Sequence, residues 1–88
     1  MKAILTVFGK DHTGIVAKVS NELSKLDINI IDISQTLMHG SFTMMMMVEV
    51  PDTSDFDTVK NDFESLGKDN ALEIHIQRQE IFDATQKL

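Results

Sequence analysis

The sequence has no cysteine, which excludes a disulfide framework, a thiolate metal site and a cysteine nucleophile. This absence fits a reducing compartment. Basic residues are few, since eight Lys and Arg stand against fourteen Asp and Glu, for a formal net charge of −6. That balance disfavours direct binding to a nucleic-acid backbone.

Long hydrophobic runs are also missing, and no apolar segment approaches the length of a membrane span. The start, MKAILTVFG, lacks the long hydrophobic region and the small-residue cleavage site of a signal peptide. We therefore expect a cytoplasmic protein that makes no contact with a membrane. A chain of 88 residues has room for one small domain with a thin core, so we also expect a partner subunit.

The first third of the chain has a strand pattern and then a helix pattern. Residues 2–8 are a continuous apolar run, which predicts a strand buried on both faces. A helix follows, with Thr13 as its expected N-cap. Its apolar stripe has the spacing i, i+3, i+7 and i+10: Val16, Val19, Leu23 and Leu26.

The rest of the chain contains two strand patterns, a second helix and a last strand. Segments 28–40 and 41–50 are rich in strand-forming residues, and the turn residues 39–40 between them predict a hairpin. The helix after Pro51 is expected to have Thr53 or Ser54 as N-cap and Gly67 as C′ residue, with the stripe Phe56, Val59, Phe63 and Leu66. Residues 71–79 alternate apolar with polar, as in a strand with one wet face.

The order of elements is therefore β-α-β-β-α-β, the ferredoxin-like pattern of an α+β domain. It predicts a four-stranded antiparallel sheet with two helices on one face and strands one and three at the centre. We assign residues 1–79 to a single domain and 80–88 to a C-terminal tail. The other sheet face keeps apolar side chains with no helix over them, so we expect a second chain or the tail to cover it.

The loop GKDHTG at 9–14 has three interpretations. A catalytic one makes His12 a general base oriented by Asp11, but it lacks a nucleophile, because Thr13 is the only hydroxyl nearby. A structural one lets Asp11 and Thr13 cap the helix. A binding one uses Gly14 to admit a ligand to the helix N-terminus, which attracts a carboxylate, while Asp11 meets an amino group. The last two stay open, and the third suits a zwitterion such as an amino acid.

Other candidates for chemistry are weaker. Strand alternation splits the methionines at 44–47 into pairs on opposite faces, so packing explains them better than a soft-metal site. His12, His39 and His75 have no metal-ligand spacing, and no phosphate-binding or hydrolase motif is present. We expect no cofactor, no metal and no catalytic residue, and hence a protein that is not an enzyme.

Residues 11–36 resemble the opening of an ACT domain. The family pattern D-x-x-G-I-[VA] is matched by Asp11, Gly14, Ile15 and Val16, and its N-I-x-[DE] strand start by Asn29, Ile30 and Asp32. The segment DISQT at 32–36 is similar to the ACT segments of glycine cleavage system transcriptional repressors and formyltetrahydrofolate deformylases. Over residues 2–79 the chain resembles small stand-alone bacterial ACT proteins.

The resemblance implies the βαββαβ fold, a homodimer or higher homo-oligomer, and a small effector, an amino acid, bound between two domains. The contacts it implies are Asp11, His12, Thr13, Gly14, Ile15, Asn29 and Ile30. The repressors carry two ACT copies and this chain has one, so a stand-alone copy must dimerise to build a shared site or act by touching another protein. The alternative is therefore a ligand-independent interaction module that regulates a partner enzyme or transcription factor.

Overall fold

The computed structural model of the chain describes residues 1–10 and 13–80. Its elements are β1 (Lys2–Lys10), α1 (Ile15–Lys25), β2 (Asn29–Met38), β3 (Ser41–Glu49), α2 (Phe56–Asp69) and β4 (Leu72–Arg78). The strands form one antiparallel sheet in the order β2-β3-β1-β4. This confirms the ferredoxin-like α+β prediction, with strands one and three central. The predicted tail falls largely on residues 81–88, which lie outside the described residues.

The core lies between one face of the sheet and both helices. From the sheet it takes alternate residues of the central strands, among them Leu5 and Val7 of β1 and Met44 and Met46 of β3. The helices contribute the buried residues Ile15, Val19, Leu23, Val59 and Phe63. The prediction that β1 is buried on both faces is wrong at Phe8, which is 40% exposed, because no described helix covers the opposite side of the sheet.

Two predictions for α1 are corrected. Gly14, with φ +87°, occupies the N-cap position that was expected for Thr13. The buried row is Ile15, Val19 and Leu23, whereas Val16 is exposed. The cause is helical geometry, because the row i, i+4, i+8 lies slightly rotated from the row that starts at Val16.

For α2 the predicted stripe is confirmed, since Val59 and Phe63 are buried and Phe56 and Leu66 pack half-buried against the core. The predicted caps are wrong. Asp55 caps the N-terminus, and its carboxylate accepts hydrogen bonds from the Asp57 N–H at 3.2 Å and the Thr58 hydroxyl at 2.9 Å.

Gly67 lies inside α2 and is buried, while the helix continues to the C-cap Asn70. A Cβ at Gly67 would lie 2.7 Å from the carbonyl oxygen of Leu72. The glycine is therefore needed for the close approach of α2 to β4, not for helix termination as the sequence suggested.

The hairpin between β2 and β3 is confirmed. His39 and Gly40 both have positive φ, 52° and 79°, as a two-residue type I′ turn requires. Met38 and Ser41 pair directly on either side of this turn. Neither helix of the described part has the length and apolar content needed to cross a membrane.

Candidate functional site

The first half of the predicted site lies where β1 leads into α1. Asp11 and His12 lie outside the described residues, so the structure places only Thr13, Gly14 and Ile15 of the loop. Ile15 is buried and belongs to the core. A Cβ on Gly14 would meet no atom within 4 Å, so the space beside the start of the helix is open.

The start of α1 presents hydrogen-bond donors. The first intrahelical bond of this end runs from the Lys18 N–H to the Gly14 carbonyl, at 3.0 Å. The helix therefore provides no acceptor for the N–H groups of residues 15–17. These groups carry partial positive charge and suit a carboxylate or phosphate. Gly14 has no side chain and cannot supply the capping oxygen that Thr13 was expected to give.

The second half of the predicted site, Asn29 and Ile30, lies at the opposite end of the sheet. Asn29 pairs with Glu49, and Glu49 pairs with Lys2 at the start of β1. The end of β1 is eight residues farther along, which corresponds to roughly 27 Å of strand. Within one chain, Asn29 and Ile30 are therefore not brought next to the loop.

Asn29 instead lines a cleft of about 290 Å³ between the end of α1 and the start of β2. The cleft also contains side chains that sequence reasoning missed: Ser20, Ser24 and Asp27. Asp27 has φ 59°, a left-handed conformation that Asp tolerates better than most residues. An Asp directly after a predicted helix and before a strand was the available signal. Its carboxylate and the two hydroxyls suit an ammonium group.

The free edge of β2 lies alongside this cleft. In a two-residue hairpin the closing pair exchanges both backbone hydrogen bonds, so pairs alternate from Met38–Ser41 onward. The N–H groups of Ile33, Gln35 and Leu37 consequently point away from β3. Consistent with this, the Ile33 N–H donates to the Asp32 carboxylate at 2.9 Å.

The same edge carries exposed apolar side chains, which an isolated edge strand normally avoids. Ile33 is 46% exposed and Leu37 is 59% exposed. Both lie on the helix side of the sheet, in register with the buried Met46 and Phe42 of β3. An edge with outward N–H groups and apolar side chains is suited to pairing with another strand.

Side-chain chemistry elsewhere in the described residues is sparse. His75 Nε2 lies 3.4 Å from Glu73 Oε2, with both side chains exposed. Across residues 1–10 and 13–80, no three His, Asp or Glu side chains are grouped so that they could hold a metal ion. Met44 and Met46 are buried in the core, while Met45 and Met47 lie on the other face, which confirms the predicted alternation.

Comparison with known proteins identifies the pattern. A family model described as "ACT domain" matches residues 2–77. A UPF0237 protein of Listeria monocytogenes is 56% identical over 89 residues, covering 100% of both chains. A solved ACT domain protein from Streptococcus pneumoniae is 47% identical, covers 94% of each chain and superposes with a TM-score of 0.85.

Two further solved structures share the fold. A glycine cleavage system transcriptional repressor is 24% identical, with a TM-score of 0.80, and the match covers 89% of this chain and 45% of the repressor. A formyltetrahydrofolate deformylase from Pseudomonas putida is 15% identical, with the same TM-score, covering 88% of this chain and 28% of the deformylase. The predicted resemblance to both is confirmed at the level of fold.

Proposed function

The chain belongs to the ACT domain family, and from this premise we propose that two copies pair along their β2 edges and bind an amino acid. The ligand lies where the start of α1 in one copy meets the start of β2 in the other, here called the seam. ACT domains are regulatory modules that often bind small ligands. We assign the protein a non-enzymatic role in the cytoplasm, in which ligand occupancy stabilises one dimer arrangement and changes contact with a target.

The observation that carries this proposal is the separation of the predicted site into two halves. The described part of the loop, residues 13–15, lies at the end of the sheet where β2 finishes, and Asn29 lies where β2 begins. Antiparallel pairing of two β2 edges around a two-fold axis near Gln35 places the start of each β2 beside the finish of the other. It thereby brings Asn29 of one copy to the loop of the second copy.

The two halves have complementary chemistry for a zwitterion. The N–H groups at the start of α1 would receive the ligand carboxylate, beside the open space at Gly14. Asp27, with Asn29, would receive the ligand ammonium from the cleft of the other copy. Asp11, His12 and Thr13, the backbone N–H of Ile15, and Ile30 complete the proposed contacts from the loop and from β2.

A thermal-shift screen of the twenty common amino acids, read beside sedimentation velocity, tests the proposal. We expect at least one amino acid at millimolar concentration to raise the melting temperature and to increase the fraction of chains that sediment as the edge-paired assembly. A well-folded wild-type sample that responds to none of them would count against an amino-acid ligand.

The pairing itself is tested with Gln35→Pro, matched by Gln35→Ala. The Gln35 N–H points away from β3, so proline removes no bond within the chain but blocks strand addition at the edge. We expect Gln35→Pro to lose the edge dimer and the ligand response together, while Gln35→Ala keeps both. A proline variant that stays folded and keeps the dimer would exclude this edge.

The exposed apolar row on β2 also favours a second candidate, the ligand-independent module. A strand of another protein could add to the same edge and regulate that partner enzyme or transcription factor. Stoichiometric recovery of one partner by the wild-type chain, lost in Gln35→Pro and indifferent to all twenty amino acids, would support this candidate over the first.

A further inference from the structure

The sheet face opposite the helices, here called the open face, has an apolar centre on its two central strands. Phe8 of β1 is 40% exposed and Met45 of β3 is 41% exposed. Ile4, Met45 and Met47 also line a shallow cleft of about 220 Å³ on this face. We propose that the open face binds the open face of a second copy of this chain, as an interface separate from the β2 edge.

Charge on the open face favours a second copy as the occupant. By strand alternation the face carries two lysines and three carboxylates: Lys2, Lys10, Asp32, Glu49 and Glu73. This is close to neutral, whereas the whole chain has a net charge of −6. Two identical acidic chains therefore repel each other less through this face than their net charge alone would suggest.

Register shows that the face is complementary to itself. Lys2 of β1 pairs with Glu49 of β3, and two residues on, Ile4 pairs with Met47. A two-fold axis parallel to the strands, between β1 and β3, lays β1 of one copy over β3 of the other. Each Lys2 then faces a glutamate, and each Ile4 faces a methionine, at the usual sheet-to-sheet separation of about 10 Å.

The face is also large enough. Four strands about 4.8 Å apart and nine residues of about 3.3 Å each span roughly 19 by 30 Å, or on the order of 1,100 Å² for two faces. A specific interface needs about 1,000 Å² in total. An apolar centre of Phe and Met side chains inside a polar rim is the usual anatomy of such a surface.

The open face and the β2 edge do not compete for the same atoms, so both can be occupied at once. Pairing through the edge gives two chains, and stacking two such pairs through the open face gives four. A ligand at the edge seam would then act on an assembly of four chains.

The test measures the mass of the full chain by sedimentation equilibrium and native mass spectrometry. The open-face variant is Phe8→Asp with Met45→Asp. Its matched control, Asn61→Asp with Ser65→Asp, adds two carboxylates to exposed positions of α2. Circular dichroism confirms that each variant is folded. We expect wild type and control at four chains and the open-face variant at half that mass.

Combination with Gln35→Pro separates this proposal from the proposed function. Gln35→Pro alone should also halve the wild-type mass, and all three substitutions together should give single chains. If the open-face variant keeps the wild-type mass, the open-face proposal is wrong, whatever Gln35→Pro does. If the open-face variant melts at a lower temperature but keeps the wild-type mass, the chain's own residues 81–88 are indicated as the cover. If the wild-type protein contains two chains, and only Gln35→Pro separates them, another protein is indicated as the occupant. Both results overturn the open-face proposal and leave the edge dimer intact.

Discussion

Gly67 lies in α2 where the helix backbone passes close to the start of β4. We predict that Gly67→Ala destabilises the protein by about 1–2 kcal/mol. Alanine gains about 1 kcal/mol of helix propensity, but overpacking costs about 1–3 kcal/mol, and a contact with rigid backbone falls in the upper part of that range, about 2–3 kcal/mol. The Cβ would lie 2.7 Å from the Leu72 carbonyl oxygen, which is backbone and cannot rotate away.

Urea unfolding measures this difference, and Ser65→Ala provides the control on the same helix. Ser65 is exposed, so its replacement should change the free energy of unfolding by less than about 0.5 kcal/mol. A Gly67→Ala variant as stable as wild type would mean that α2 and β4 can separate at no cost.

The second prediction at the residue scale concerns the pH dependence of stability that the Met1 ammonium group causes. Its hydrogen bonds to Glu49, at 2.6 Å, and to Asp52, at 2.9 Å, raise the pKa of the amino group above its usual value of about 8. A raised folded-state pKa adds stability that is fully present below pH 8 and is lost as the pH rises through that pKa. We therefore expect the melting temperature to fall as the pH rises above 8.

Glu49→Gln identifies the source of this pH dependence. Glutamine keeps the shape of the side chain but removes the charge that favours the protonated amine, so the fall in melting temperature should shrink. Wild type and Glu49→Gln with the same slope above pH 8 would show that other groups cause it.

Both helices end in a residue with left-handed backbone, and neither residue is a glycine. After α1, the Asp27 N–H donates to Ser24 and the Ile28 N–H donates to Leu23, the pair of bonds of a Schellman motif. After α2, Ala71 has φ 56° directly beyond the C-cap Asn70.

We predict that Ala71→Gly stabilises the protein by about 0.5–1 kcal/mol. A left-handed conformation costs alanine about 1–2 kcal/mol. Glycine avoids this strain but loses about 0.5–1 kcal/mol more backbone conformational entropy on folding. Chemical denaturation checks the sign. Ala17→Gly, at an exposed position in right-handed α1, should be destabilising by a similar amount, and an Ala71→Gly variant that is equally destabilised would contradict the strain argument.

The elements were predictable because their signals are periodic. The alternation in β4, the stripe of α2 and the turn at 39–40 each depend on local geometry, and the structure confirms all three. The helix caps were not predictable from residue type alone. Several suitable residues lie close together at each end, and the choice of Asp55 over Ser54, or of Ala71 over Gly67, depends on how α2 packs against β4.

For the molecule as a whole, the resemblance implied a site shared between two domains, but the separation of its two halves to opposite ends of one sheet is visible only in the structure. Gly14 and Asn29 both came from the ACT resemblance, and the distance between them appears only once the strand directions are known. Asp27 was missed because its position depends on the left-handed end of α1. A site shared between two copies leaves no periodic trace in one chain.

A shared site makes a prediction that a site within one chain does not. Asp11→Ala removes a carboxylate from the loop of one copy, and Asn29→Ala removes an amide from the start of β2. Each variant alone should lose binding of the amino acid that most stabilises wild type. In a mixed dimer, one of the two seams combines an intact loop with an intact Asn29. Because random pairing makes about half of the dimers mixed, co-expression of the two variants should restore about a quarter of the wild-type binding capacity.

Isothermal titration of the co-expressed mixture measures the number of sites. For the control, the two variants are purified separately, mixed, and measured before their subunits have had time to exchange. This mixture contains no mixed dimers and should bind no ligand. If Asp11 and Asn29 of the same chain contribute to the same site, each site in a mixed dimer has lost one of the two residues, and co-expression restores no binding. Recovery near a quarter, with the wild-type affinity at the recovered sites, therefore requires that Asn29 reach the loop of the other copy, as antiparallel pairing of β2 predicts.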